Sequence, residues 1–310
     1  MPSIVGCDVS KKILDVTIYP DTYKQFENTE QGRQEMLLFL PVNSLVCVES
    51  TSTYYKPLAV FLKNNGHIMY VANPLTIKRY AQSRLRKLKT DKADSYIIAE
   101  YLLKMHHDLT PWSASSFNQT TCSYLVKTAE ALTVQQGSQA NRSKAFSFAY
   151  PEIEQTIESA RTKIKAEQNH FYTLARKIII RDDTLSQWYK ALLKLPGFGE
   201  VLAVRFLGHC SDLNRFKTGR HFASFCGITP SDHQSGGVTK QAHISRMGSP
   251  KLRAILFLAA RAASKSKSRF GDMYKRLISQ NKSKYRAYTA LGNRLARAAW
   301  AVCVKPQDEK

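Results

Sequence analysis

The first hundred residues switch repeatedly between two hydrophobic periods, and that alternation restricts the fold more than any other feature of the chain. SIVGCDVS and ILDVTIYP are β-branched runs separated by a Lys-Lys pair, and YKQFENT is a third candidate strand. GRQEMLLFL takes helical spacing, and SLVCVES is a short apolar strand with a polar end. YYKPLAVFLKNNG reads as a helix stopped by Asn-Asn-Gly, HIMYVAN as a strand, and PLTIKRYAQS as a helix with proline in its first turn. Three strands followed by alternating helices and strands predict an α/β domain on a mixed sheet over residues 1–110.

The remainder reads as helical. Residues 111–186 form a middle region whose first part, 112–150, has only a weak pattern. Beyond it Ile157, Ile164, Phe171 and Ile178 recur every seven residues, with Ile153, Ala160 and Leu174 on the adjoining seam and Glu167 interrupting it. That spacing predicts a long amphipathic helix, in a coiled-coil hairpin or dimer arm, or packed on its own domain. Residues 187–310 predict an all-α domain. It opens with LLKLPGFGEVLAVRFLG, passes through the loop TPSDHQSGGVTKQAHISRMGSPKLR, and ends in helices rich in Ala, Arg, Lys and Ser.

Charge says what such a chain meets. Lys and Arg number 46 against 24 Asp and Glu, a net +22, so a polyanion is the expected partner, nucleic acid ahead of an anionic membrane surface. No uninterrupted apolar run reaches the length of a membrane span, and MPSIVGCDVSKK lacks the pattern of a secretory signal. The six cysteines are scattered without Cys-x-x-Cys pairs, which argues against a zinc module or disulfide framework and for a reducing, cytoplasmic setting with access to the nucleoid.

Four acids form a candidate site. Asp8 sits at the polar end of the first strand and Glu49 at the end of SLVCVES, and strand ends gather at one edge of an α/β sheet. In KLKTDKADSYIIAEY, Asp91 and Asp94 fall three apart at a helix start and share a face. Taken alone they satisfy a simpler role, with Asp91 as N-cap and both favoured by the helix dipole. Four carboxylates brought together would repel unless a divalent cation neutralised them, and Mg²⁺ favours carboxylate oxygens and substrate phosphates. Asp15 reads as solvent-facing. Lys78, Arg79, Arg84, Arg86, Lys87 and Lys89 precede the aspartates and would draw in a nucleic-acid backbone.

The C-terminal region offers a second set. LPGFG resembles half of a helix-hairpin-helix, with Gly197 and Gly199 allowing backbone N–H groups to approach a phosphate. Ser235 precedes two glycines, which leave its approach to a phosphate open. His233, Lys240, His243, Arg246 and Arg253 are candidate supports for a nucleophilic serine, and Ser231 is the alternative nucleophile. Lys251 and Arg253 lead a series of basic residues interleaved with Phe270, Tyr274 and Tyr285, suited to backbone neutralisation and base stacking. His243 and Arg246 also form the H-x-x-R of tyrosine recombinases, a pattern short enough to arise by chance.

GCDVSKK, VCVESTSTYY, the following Asn-Pro and KTDKADSYIIAEYL together resemble the DEDD-type insertion-sequence transposases, which include the pilin gene-inverting recombinases, along nearly the whole chain. The resemblance implies a Holliday-junction-resolvase-like, RNase H-type fold at the N-terminus, with Asp8, Glu49, Asp91 and Asp94 as a Mg²⁺-binding tetrad. It implies Ser235 as the nucleophile, although many relatives carry Ser-Ser or Ser-Thr before the glycines where this chain has Gln234-Ser235. It also implies donor and target DNA as partners, a structured noncoding RNA that bridges them, and a homodimer or tetramer. Two other readings of the residues stand beside it: a metal-dependent junction-resolving nuclease using the tetrad alone, and a non-catalytic nucleic-acid-binding protein.

Overall fold

The structure, a computed structural model, describes residues 2–50, 53–84, 90–113, 116–146, 150–210, 212–231, 234–235, 238–239, 243–245 and 247–305, with no side chains described at 144–146, 151–153, 231, 234–235, 238–239 and 243. The chain divides into two compact units, residues 1–114 and 115–310.

The first unit contains strands β1 (Ile4–Val9), β2 (Ile13–Ile18) and β3 (Thr22–Glu27), helix α1 (Glu30–Phe39), strand β4 (Leu45–Glu49), helix α2 (Tyr55–Asn64), strand β5 (Ile68–Ala72), and helices α3 (Pro74–Ser83) and α4 (Asp91–Met105). The sheet runs in the order β3-β2-β1-β4-β5. β1, β2 and β3 pair antiparallel, while β1, β4 and β5 are parallel. This is the mixed sheet that the sequence pattern predicts.

Both faces of the sheet are covered, and strand alternation separates them. Val5, Cys7, Leu14, Val16, Val46 and Val48 enter one core with Met36 of α1 and Leu58 and Leu62 of α2. Leu45, Cys47 and Tyr70 enter another with Ile77 of α3 and Ile98 and Leu102 of α4. β4 is thus apolar on both sides, which is why LVCV reads as a continuous run rather than an alternation. α4 lies directly on β1: a Cβ added at Gly6 would stand 2.2 Å from the Ser95 carbonyl oxygen and 2.3 Å from the Ala99 nitrogen. The Thr17 and Ser95 hydroxyls, 2.7 Å apart and buried, fix α4 to β2 as well.

The second unit begins with α5 (Phe117–Phe146) and α6 (Pro151–Arg181), which pack as an antiparallel hairpin. Gln168 donates to Ala129 O and to the Thr133 hydroxyl, and Gln136 to Arg161 O. Ile157, Ile164, Phe171 and Ile178 are half-buried along α6, so the seven-residue seam belongs to a hairpin within the chain.

α7 (Asp183–Leu193), α8 (Glu200–Cys210), a short 3₁₀ turn at Leu213–Arg215 and α9 (Gly219–Phe225) follow. Two small ladders come next, β6 (Pro230–Ser231) with β9 (His243–Ile244) and β7 (Gln234–Ser235) with β8 (Val238–Thr239). α10 (Pro250–Ala263), α11 (Arg269–Ser279) and α12 (Lys284–Val304) complete the unit. One core runs through it, from Val126 of α5 and Ile179 of α6 to Leu192, Phe206, Phe222, Ile255, Leu291 and Leu295. No helix among the described residues is long and apolar enough to cross a membrane.

Candidate functional site

Strand parity decides where the acids of the first unit point. Val5, Cys7, Leu14, Val16, Val46, Val48 and Phe26 face α1 and α2. The alternate positions Gly6, Asp8, Asp15, Thr17, Glu49, Tyr23 and Gln25 therefore belong to the α4 face. Asp8 pairs directly with Asp15 across β1 and β2. Glu49 lies one step beyond the Cys7–Val48 pair, beside Asp8 in the parallel β1–β4 register. Asp8 and Glu49 are each half-buried.

Asp91 and Asp94 reach this edge from α4. Thr90, not Asp91, is the N-cap: its hydroxyl accepts from the Ala93 N–H, which leaves Asp91 as the first helical residue with its carboxylate free of the capping role. Asp91 is exposed and Asp94 half-buried. Burial raises the pKa of Asp8, and the Asp94 carboxylate raises it further, against a lowering hydrogen bond from the Val9 backbone; Asp15 and Asp91 add smaller upward contributions. Asp8, Asp91 and Asp94 are thus close enough to feel one another's charge, and a Cβ at position 6 would remove the fit that holds α4 there.

Asp15 corrects the sequence reading. It is 4% exposed rather than solvent-facing, because α4 covers the face onto which it projects. Its Oδ1 accepts from Tyr23 Oη at 2.5 Å and Gln25 Nε2 at 3.0 Å. Burial of Tyr23, then its hydrogen bond to Asp15, pushes the phenol up to about 12. Lys92 Nζ lies 5.5 Å over the Tyr23 ring. Asp15, Tyr23 and Gln25 form a polar layer behind the acids that the sequence did not single out.

The donor set is all carboxylate oxygen, the chemistry of a hard divalent cation, and the mutual repulsion felt at Asp8 is what such a cation would relieve. Among the described residues, however, no three His, Cys, Asp or Glu are arranged closely enough to hold a metal ion. The acids are gathered at one edge but not closed around a common point.

Of the basic residues before the aspartates, Lys78 and Arg79 are exposed on α3. Arg84 follows α3 and pairs with Glu100 at 2.7 Å, Glu100 being 4% exposed. Arg86, Lys87 and Lys89 lie outside the described residues.

In the second unit, Gly197 and Gly199 occupy the turn between α7 and α8. Gly197 takes φ +91°, and a Cβ there would stand 2.1 Å from the Ala259 carbonyl oxygen on α10. Packing alone therefore requires glycine at 197, while Gly199 faces open space. Ser235 pairs with Val238 and Ser231 with His243 in the two small ladders. The structure gives their backbone register and not their side chains; His233, Lys240 and Arg246 lie outside the described residues. Arg253 Nη1 donates to Gly227 O at 3.4 Å, next to the start of this segment.

Lys251 is engaged inside the unit. Its Nζ lies 3.0 Å from Glu130 on α5, which also binds Arg205 at 2.9 Å and His209 at 3.2 Å. Glu130 is 4% exposed. Burial alone would raise its pKa, but hydrogen bonds from His209, Lys251 and Arg205 outweigh burial and hold it at about 2. Glu130 escaped sequence reading because its partners lie 75 or more residues away.

Comparison with known proteins agrees across both units. A family model for the DEDD-type IS110 transposases matches residues 5–146, and the family described as Transposase IS116/IS110/IS902 matches residues 189–275. The chain is 27% identical to the pilin gene-inverting protein of Moraxella bovis over 310 residues, covering 96% of this chain and 94% of that protein. It is likewise 27% identical to the pilin gene-inverting protein of Moraxella lacunata, with the same coverage. It is 24% identical to a putative transposase of Sinorhizobium fredii, over 96% of this chain and 82% of the relative.

Proposed function

Because the chain belongs to the IS110-type family of transposases and recombinases, enzymes of DNA strand transfer, we propose that it cleaves and rejoins DNA with two sets of residues, a carboxylate set in its first unit and Ser235 in its second. The observation that supports the first set is convergence. Asp8 and Glu49 stand on adjacent strands on one sheet face, and α4 brings Asp91 and Asp94 to the same edge. A DEDD-type family points to a divalent cation, and Mg²⁺, which favours carboxylate and phosphate oxygens, is the ion of this reading. Asp8, Glu49, Asp91 and Asp94 would hold it, and when bound it supplies charge neutralisation at a phosphodiester.

The chain's own groups do the rest. Asp15, held by Tyr23 and Gln25, stands opposite Asp8 across β1 and β2 and adds negative potential beside it. Lys78 and Arg79, exposed on α3, neutralise backbone phosphates of the bound strand. Ser235 Oγ attacks the scissile phosphorus; its proton leaves, a serine–phosphate bond forms, and the bond to the 3′ oxygen breaks to give a free 3′-hydroxyl. Rejoining is the reverse attack by a 3′-hydroxyl, which returns the proton to Ser235 and releases the enzyme. Donor and target DNA are the substrates in this reading, and a structured noncoding RNA pairs with both to align them. The pilin gene-inverting relatives suit it, since inversion requires cutting and rejoining with no net loss of DNA.

The test is a strand-joining assay with purified protein, a candidate guide RNA, donor and target duplexes, and Mg²⁺. Wild type yields joined DNA and a protein–DNA adduct that survives denaturation. Ser235→Ala yields neither, and Asp8→Asn yields neither at any Mg²⁺ concentration. If Ser235→Ala still cleaves while Asp8→Asn does not, water is the nucleophile and the protein is a junction-resolving nuclease. If Ser231→Ala alone loses the adduct, the nucleophile is the neighbouring serine.

A further inference from the structure

α9, α11 and α12 line an open cavity of about 840 Å³ whose charge is almost entirely of one sign. Arg220, Arg269, Arg276, Arg294, Arg297 and Lys305 line it, with Asp272 as its one acid. Trp300, Phe270 and Met273 supply an apolar floor. None of the six cations forms an ion pair with an acid in the described residues. For Arg276, Arg294, Arg297 and Lys305 the local sequence offers no partner: from residue 273 to residue 307 there is no Asp or Glu, against eight Lys and Arg.

The cavity is built into the fold. Gly219 opens α9 with its Cα against the Arg297 backbone and the Trp300 ring, at 3.1 to 3.3 Å from where a Cβ would stand. α9 is therefore seated on the face of α12 that carries Arg294 and Arg297. Residues 269, 272, 273 and 276 form one stripe of α11 and close the other side. Phe270 and Trp300 are buried, so the walls are fixed by the core while the guanidinium groups reach into solvent. Gathering six like charges is unfavourable unless an anion is bound there. Five of the six are arginine, whose planar fork matches phosphate oxygens two at a time.

We propose that this cavity is a phosphodiester-backbone site. It grips a nucleic-acid strand at successive phosphates, through residues other than the carboxylate set and Ser235. Six cations with a single acid among them outnumber the charges of one nucleotide phosphate group, which favours a strand that presents several phosphates. The proposal rests on the reading that the protein works on nucleic acid, and its occupant is either the RNA or one of the DNA strands.

The test is equilibrium binding of full-length protein to labelled single-stranded RNA, single-stranded DNA of the same sequence, and the duplex, over a range of salt. The variant is R220Q/R276Q/R294Q/R297Q. Each lost phosphate contact lowers the slope of log K against log salt by about 0.7 on a single strand and about 0.9 on duplex, so the quadruple variant should lose about 3 for the strand that occupies the cavity. Retention of slope on the other two ligands identifies which strand that is. K163Q/K165Q on α6 removes exposed charge elsewhere and should leave the slopes unchanged, whereas a pure net-charge effect would take about 1.4 from the single-strand slope. The quadruple Arg→Lys variant keeps charge, so it should keep the slope while losing affinity at least tenfold.

The same slope loss per removed charge in the α6 control and the cavity variant would mean net charge alone, and would overturn the proposal. So would unchanged slopes in the cavity variant, or a slope lost as fully in the Arg→Lys variant. Displacement by free ATP at a phosphate concentration equal to that of the polymer would make it a nucleotide site instead. The strand-joining assay is scored separately: wild type that joins DNA while the cavity variant binds normally sinks only this site, and wild type that binds through the cavity but joins nothing sinks only the recombinase reading.

Discussion

Asp8 and Asp15 face each other across the antiparallel β1–β2 pair, both on the side covered by α4. Like charges directly opposite on a sheet are destabilising, and here one of them, Asp15, is 4% exposed and accepts from Tyr23 and Gln25. The two carboxylates place a negative potential on this edge, which a bound cation would relieve. Asp15→Asn leaves an oxygen able to accept both hydrogen bonds while removing the charge. We expect the variant to remain folded and to join DNA, but to need several-fold more Mg²⁺ or Mn²⁺ to reach half-maximal rate, because one charge less attracts the cation. Metal titration of the joining reaction measures this; an unchanged metal requirement would leave Asp15 as a packing residue only.

Gly6 is the second place where the carboxylate edge is tied to the fold. A methyl at this position would stand 2.2 Å from the Ser95 oxygen and 2.3 Å from the Ala99 nitrogen. Both are backbone atoms of α4, so no side chain can rotate away; the helix itself must move. Gly6→Ala should destabilise the protein by about 3 kcal/mol, the upper end of overpacking effects. Since α4 carries Asp91 and Asp94 in its first turn, strand joining should fall at least tenfold even at a temperature where the variant is fully folded. Thermal unfolding and a joining assay run on the same sample separate the two effects.

Much of the first unit was legible because its strands and helices change period where the chain changes element. Every helix and strand from SIVGCDVS to the helix at Asp91 appears where the pattern put it. Asp8 and Glu49 were visible as acids at apolar strand ends. Asp15 was not, since in ILDVTI a polar residue between apolar ones reads as facing water. That inference holds only for a sheet with one wet face, and the helix that dries the second face lies some 75 residues further on. Glu130, Arg220, Arg294 and Arg297 escaped for the same reason, since each is meaningful only beside partners from other helices, whereas Arg269 and Arg276 were already visible in the basic C-terminal series. On its own helix, Glu130 is one more polar residue, and Arg294 and Arg297 are one more basic turn.

The two glycines of LPGFG should separate cleanly. Gly197 holds φ +91° and abuts the Ala259 carbonyl, whereas Gly199 meets nothing within 4 Å of an added Cβ. Gly197→Ala combines a left-handed backbone with a backbone clash, so it should lose about 3 kcal/mol or more. Gly199→Ala should change stability by under about 0.5 kcal/mol. Urea unfolding of the two variants decides it. Equal losses would mean that the turn is held by something other than its approach to α10. With stability unaffected, Gly199→Ala also becomes the clean probe for a phosphate at this turn, through its effect on DNA affinity.

Glu130 should govern the acid limit of the second unit. Burial opposes its ionisation, but His209, Lys251 and Arg205 more than compensate and bring its pKa down to about 2. A carboxyl whose folded pKa is depressed binds fewer protons in the folded state than in the unfolded one. Its stabilisation is therefore complete above the ordinary glutamate value, near 4.3, and is lost as pH falls toward about 2. Glu130→Gln removes that dependence and also leaves two nearly buried basic groups facing a neutral amide, Arg205 being 22% and His209 7% exposed at the side chain. We expect it to lose about 3 kcal/mol at pH 7, the lower end for a broken buried ion pair, because Lys251 is 54% exposed and can turn to water. The difference from wild type should shrink steadily between pH 4.5 and pH 2. A gap that stays constant over that range would show that the cluster stabilises the unit by packing rather than by charge.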